Sequence, residues 1–407
     1  MKQKKILIGL GVALVVVLAG ILILLLRKPS LSEVEQAELS SPKDPTMEHL
    51  GDEDGGIWAV NEDPGQALER YKLWAQYPPD SRPLFGWQVD LIEPYNIKDM
   101  PLPVMIAPPS DCNTDVSGEL KCNTPAKLAA IHCEMNPESV VSVGTKEHRS
   151  FLFCMDEKEN RLPIEDLTVK VFRVPLDQKI PTLPPIHIGD DGSGGDDKAG
   201  DHIYTITVRP GAADWGYMIV EAAYKVGGHQ DQHATTWFST PNVPAEFQQG
   251  ITDHLSDGHL VVKVPVQVRR PGYYMIESNL QEKNNPNRFL ATATFEGQLA
   301  AGRQIVTLRF WGKLLRDQKV DGPYIVRELR GRRDNAPVTP DMIARAFEMG
   351  LEIPSGEPKE PLYEYMQMAA PYETNDYDAS SFSKEVWDSE DKQFRIKYFE
   401  ELIAKDG

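Results

Sequence analysis

The apolar positions of this chain change rhythm three times. Residues 6–26 are apolar or glycine without a break. Twenty-one such residues, rising about 1.5 Å each, cross a hydrocarbon core of roughly 30 Å, so the stretch reads as a transmembrane helix. Lys2, Lys4 and Lys5 precede it, and Arg27 and Lys28 follow before the sequence turns acidic. That asymmetry places the N-terminus in the cytoplasm and everything after residue 28 outside. A cleaved signal peptide has a shorter apolar core and a small-residue site behind it, so residues 1–28 are expected to be an uncleaved signal anchor. Residues 29–62 are polar, carry no apolar period and are expected to form a flexible stalk. Asp63 and Pro64 then suit the N-cap and first position of a helix with Ala67, Leu68, Tyr71 and Trp74 on one face. Together with the aromatic stretch behind it, this makes residues 63–100 a lead-in that docks on the globular part.

From about residue 100 the period drops to two. Runs rich in β-branched and aromatic residues occur at 167–174, 203–208, 217–226, 260–268, 273–281, 289–295, 304–311 and 324–329. Gly, Pro, Asn and Asp separate them, and Val306, Leu308 and Phe310 alternate with polar neighbours. Such alternation predicts antiparallel sheets with one buried face, and the lack of helical crossovers argues against a parallel α/β design. The expected fold class is therefore mainly β. An N-terminal transmembrane helix leads to tandem antiparallel β-sandwich (Ig-like) domains over 101–241 and 242–333, and short C-terminal helices fill 334–407. In that last part Thr339, Pro340 and Asp341 open a helix that stops at Gly350. Ser389 opens another, whose stripe of Phe394, Tyr398 and Leu402, with Phe399 and Ile403 beside it, is expected to pack on the body.

Charge and sulfur narrow the setting. Beyond residue 28 there are 38 basic and 61 acidic residues, a balance of −23 that repels nucleic acid and keeps an exported protein soluble. All four cysteines, Cys112, Cys122, Cys133 and Cys154, fall in one short window. In an oxidising compartment an even, clustered set reads as two disulfides, with three pairings open. Cys133 and Cys154 sit in apolar runs suited to neighbouring strands, which favours Cys133–Cys154 with Cys112–Cys122 closing a local loop. No C-x-x-C pair supports zinc.

One segment is dense in metal-capable side chains: residues 189–204, GDDGSGGDDKAGDHIY. Closely spaced carboxylates on a glycine-rich backbone can converge on calcium, with Asp190, Asp191, Asp196, Asp197 and Asp201 as ligands. The spacing departs from the EF-hand pattern, and Asp and Gly also dominate plain turns in which Asp bonds local N–H groups. The turn is the favoured reading and a structural calcium the alternative; no other cofactor is expected. The loop, its following strand and residues 299–329 resemble the choice-of-anchor X type of bacterial extracellular domain. Asp190, Asp191, Gly192, Gly195, Asp196, Gly200, Asp201 and Tyr204 fit its first motif. Gly302, Val306, Leu308, Phe310 and Gly312, then Asp321, Gly322, Pro323 and Tyr324, fit its second. The resemblance spans roughly residues 165–333 and departs at His202, where that family usually has glycine. It implies a surface or envelope location and β-sandwich modules, and brings no established catalysis with it.

The remaining motifs point away from chemistry. His229 and His233 in GGHQDQH read as a solvated hairpin tip, because the turn is glycine-rich and no HExxH glutamate is present. Ser193 lacks the leading glycine of a nucleophile elbow. The basic run at 330–333 reads as a solvated strand end, with docking of an acidic partner as the alternative. No catalytic residue is singled out. The expected function is a non-enzymatic envelope protein, anchored in a bacterial inner membrane by its N-terminal helix. Its exported sandwiches would serve adhesion, scaffolding or surface-complex assembly with a protein or cell-envelope partner. An envelope hydrolase or polysaccharide-processing enzyme using a metal or a carboxylate pair is the alternative.

Overall fold

Asp63 begins the first described helix for the reason its sequence gives. In the computed structural model its carboxylate accepts from the N–H groups of Gly65 and Gln66, at 2.9 and 3.2 Å, and Pro64 opens α1 (Pro64–Trp74). The structure describes residues 63–86, 88–95, 131–174, 185–335 and 360–406, with short strand segments at 112–114, 120–122 and 180–183. The expected anchor, the stalk and the helix at 339–350 lie outside these residues. Among the described residues no helix is long and apolar enough to cross a membrane.

After α1 the chain turns at Tyr77 and lays down β1 (Ser81–Pro83), then the short α2 (Val89–Ile92). A two-stranded ladder follows, β2 (Cys112–Thr114) with β3 (Leu120–Cys122), whose register sets Cys112 opposite Cys122. The next strands build two facing sheets. One runs β10 (His187–Gly189), β11 (Tyr204–Val208), β6 (His148–Asp156), β4 (Ile131–Pro137), with β7 (Arg161–Leu162) beside β6. The other runs β5 (Val141–Val143), β13 (His229–Thr240), β12 (Gly216–Val226), β8 (Ile164–Val174), β9 (Ile180–Leu183). Between them Leu152, Cys154, Ile206, Val208, Met218, Val220 and Trp237 form a core. Cys133 and Cys154, directly opposite on β4 and β6, are joined as a disulfide.

Strands from Ala245 onward, joined by β1, make a second pair. One sheet runs β1, β18 (Phe289–Leu299), β17 (Gly272–Glu282), β20 (Tyr324–Asp334), and β20 also carries β21 (Tyr363–Tyr365) and β22 (Tyr372–Glu373). The other gathers β14 (Ala245–Phe247), β15 (Thr252–Ser256) and β19 (Gly302–Phe310) around β16 (His259–Val268). The period-two pattern decides what is buried: Val262, Val264, Val306, Leu308, Phe310, Tyr274 and Ile276 are all removed from water. Among the described residues every ladder is antiparallel except β5 on β13, which is parallel. Helix α3 (Gly312–Gln318) interrupts the strands after β19 and buries Leu314 and Leu315. The final helix α4 (Glu390–Asp406) starts after Ser389, whose hydroxyl accepts from the N–H of Lys392.

Residues 360–389 act as a strap. Tyr363 and Tyr365 pair with β20 while packing on Phe238 of β13, at ring distances of 6.4 and 5.1 Å. The N–H of Tyr365 also donates to Thr240 Oγ1. This segment therefore touches both sandwiches at once. It continues past Tyr372 to Gln76, whose carbonyl accepts from the N–H of Trp387, and α4 then packs on α1 through Phe399 and Tyr71.

Candidate functional site

The Asp/Gly loop connects β10 to β11 and is folded by its own carboxylates. Asp190, with a nearly buried side chain, accepts from the N–H groups of Gly200, Asp201 and His202 at 2.7, 3.1 and 2.9 Å. Asp196 accepts from the N–H of Gly192 at 2.6 Å, and Asp201 from the N–H of Ile203 at 3.0 Å. Gly192, Gly194, Gly195 and Gly200 take positive φ, which is why this turn is spelled in glycine. His202 also takes positive φ, at 61°, so a residue with a Cβ occupies the left-handed turn.

The outcome divides the five aspartates. Asp190, Asp196 and Asp201 converge, their carboxylate oxygens lying within 4.8 Å of one another. Asp191 and Asp197 do not join them. Asp191 turns to the N–H and hydroxyl of Ser193, bonds that hold its carboxyl below the usual range. Asp197 is 94% exposed and faces Arg149 at 3.9 Å. All three convergent groups accept from backbone N–H groups, as the turn reading expects, and Asp201 also faces Arg161 at 3.5 Å.

Three further clusters were less legible. His233 is not at a solvated tip. It lies on the inner face of β13, where its Nδ1 sits 2.7 Å from the hydroxyl of Tyr224, and burial lowers its pKa. Tyr224 also lies 3.7 Å from Cys154 Sγ, so this polar knot abuts the disulfide. His229 stands at the start of the same strand, four residues and about 13 Å from His233, too far for the two to share a metal. The basic run lies inside β20 and is consumed internally. Arg333 and Arg270 both grip the buried carboxylate of Glu364, Arg330 faces Glu277 at 3.4 Å, and Arg332 covers the ring of Tyr363. Neither a solvated strand end nor an open acidic-partner site survives there.

The third cluster is a clasp. Asp253 on β15 is buried and accepts from the hydroxyls of Tyr372 and Tyr377 and from the N–H of Asn375. Burial, reinforced by Asp253, pushes both phenols up, Tyr377 to about 12, so they remain donors at neutral pH. No sequence motif marks this site, because its members are more than a hundred residues apart.

No protein-family model matches the chain, and no curated protein does. Among solved structures it is similar to a DUF4785 family protein from Legionella pneumophila, at 16% identity and a TM-score of 0.36. That alignment covers 52% of this chain and 59% of the other. It is also similar to the Yersinia pseudotuberculosis adhesin InvE, at 12% identity and a TM-score of 0.18, over 50% of this chain and 55% of that one. The Escherichia coli adhesin FdeC gives 11% identity and 0.18, over 43% and 59%. In each case this chain spans under two thirds of the other protein. Likenesses this slight assign neither a family nor a role.

Proposed function

We propose that the chain is a membrane-tethered envelope protein whose two sandwiches form one contact module, serving adhesion, scaffolding or assembly of a surface complex. The observation that carries this reading is the strap. Two sandwiches joined only by a linker would swing, whereas Tyr363 and Tyr365 bond and pack against both at once. A fixed body with loops at its ends suits holding partners at set positions. The apolar stretch at 6–26 and the motif resemblance to choice-of-anchor X domains support an inner-membrane tether and a bacterial envelope setting.

The test is capture of the tagged full-length chain from cross-linked envelope extracts. A pilus, secretion or cell-wall component enriched over a detergent-solubilised control is the expected result. Turnover of envelope polysaccharide by the purified chain, or a C-terminus facing the cytosol, would refute the reading.

A further inference from the structure

Apart from the knot of His233 and Tyr224, the interior of the first sandwich carries a second set of polar groups toward the Ser239 end of β13. There β13 turns Thr235, Trp237 and Ser239 inward on successive pleats; Thr235 pairs with Val220 and Trp237 with Met218, both core residues. His148, at the start of β6, lies flat on Trp237 with ring centroids 4.3 Å apart. None of these four side chains is more than 1% exposed. Stacking occupies the ring faces and leaves the edge nitrogens to find hydrogen bonds of their own. Yet Thr235 Oγ1, Trp237 Nε1, Ser239 Oγ and His148 Nε2 have no protein partner, and they are four of the nine such atoms among the described residues.

Buried polar groups are almost always paired, and leaving several unmet in one place would cost a large share of a domain's net stability. The chemistry of the four atoms is mixed. Trp237 Nε1 can only donate, and the two hydroxyls both donate and accept. The carboxylate of Glu138 lies 3.6 Å from His148 Nδ1, favouring a proton there and leaving Nε2 to accept. None of the four groups carries a charge that would call for an ion. We propose that this end of the first sandwich is a binding site for ordered water. Successive inward residues on a strand stand about 7 Å apart, so Thr235 and Ser239 are separated by about 13 Å, and more than one water is needed to serve all four groups.

The full-length chain in detergent, labelled with 15N-tryptophan, tests this directly. It contains seven tryptophans, and Trp237→Phe identifies the relevant indole signal. The Trp237 indole N–H is expected to show magnetisation transfer with water despite its burial. A signal without such transfer overturns the proposal. Thr235→Val, which keeps the shape and removes the hydroxyl, gives an independent arm. It is expected to lower the folding equilibrium constant about tenfold, by stripping a partner from a bound water. A variant as stable as the parent, or more stable, means the hydroxyl was unmet and also overturns the proposal. Should that variant fail to fold, the indole measurement on the parent decides alone.

Discussion

Single side chains in this molecule are stabilised or strained by what surrounds them more than by their type. Burial, together with the neighbouring Arg149 guanidinium, pushes His148 down to about 3 from an ordinary value of 6.5. Because the unfolded chain binds that proton more readily, the sign is fixed. Stability is full above about pH 6.5 and falls as the pH drops toward 3, by at most about 1.4 kcal/mol per pH unit. Urea midpoints taken from pH 7 to pH 4 are expected to show this slope, and His148→Phe to flatten it. An unchanged slope in the variant would place the acid sensitivity elsewhere. In the Asp/Gly loop, Asp190 alone satisfies three N–H groups, so Asp190→Ala is expected to cost about 2 kcal/mol in chemical denaturation. Since those oxygens already have donors, the thermal midpoint of the parent is expected to be the same with calcium as with chelator. A midpoint raised by calcium would instead assign the ion to Asp190, Asp196 and Asp201. The five aspartates were legible as a group because Asp and Gly crowd together. Which three converge was not, since that depends on the chain bringing Gly200–His202 back over Asp190.

At the level of elements, the sequence-based expectation succeeds where one face is wholly apolar. The strands expected at 260–268, 304–311 and 217–226 reappear with ends shifted by at most two residues, because an apolar residue recurs at every second position. It fails for β13, whose inner positions His229, Asp231 and His233 are polar, so the pattern reads as a turn. Tyr224 supplies the partner that makes burial of His233 tolerable, and no local rule reveals it. Helix α4 shows a subtler error. Its expected packing stripe began with Phe394 and Tyr398, but these are 71% and 54% exposed. The docked face is rotated to Lys392, Ile396 and Phe399, so that Phe399, expected only at the edge of the stripe, is the residue that meets Tyr71. Helical periodicity allowed both stripes, and only the position of α1 chooses between them. Phe399→Ala is therefore expected to cost about 3 kcal/mol or to release α4, seen as faster amide exchange over 390–406. Phe394→Ala is expected to change stability by less than about 0.5 kcal/mol.

For the whole molecule, the decisive contact is the junction of Phe238 with Tyr217, Tyr363 and Tyr365. Phe238→Ala is expected to split one cooperative calorimetric transition into two, as each sandwich then unfolds on its own; a single transition in the variant would show that the strap alone suffices. This coupling was invisible in the sequence because its members come from three distant stretches of chain. The pairing of α1 with α4 has a mechanical side. Gln76 meets Trp387 and Tyr71 meets Phe399, so the two helices run in opposite directions. Residue 63 and residue 406 consequently emerge at one corner. Tension applied between them would peel the two helices apart like a zipper, and neither sandwich would lie in the line of force.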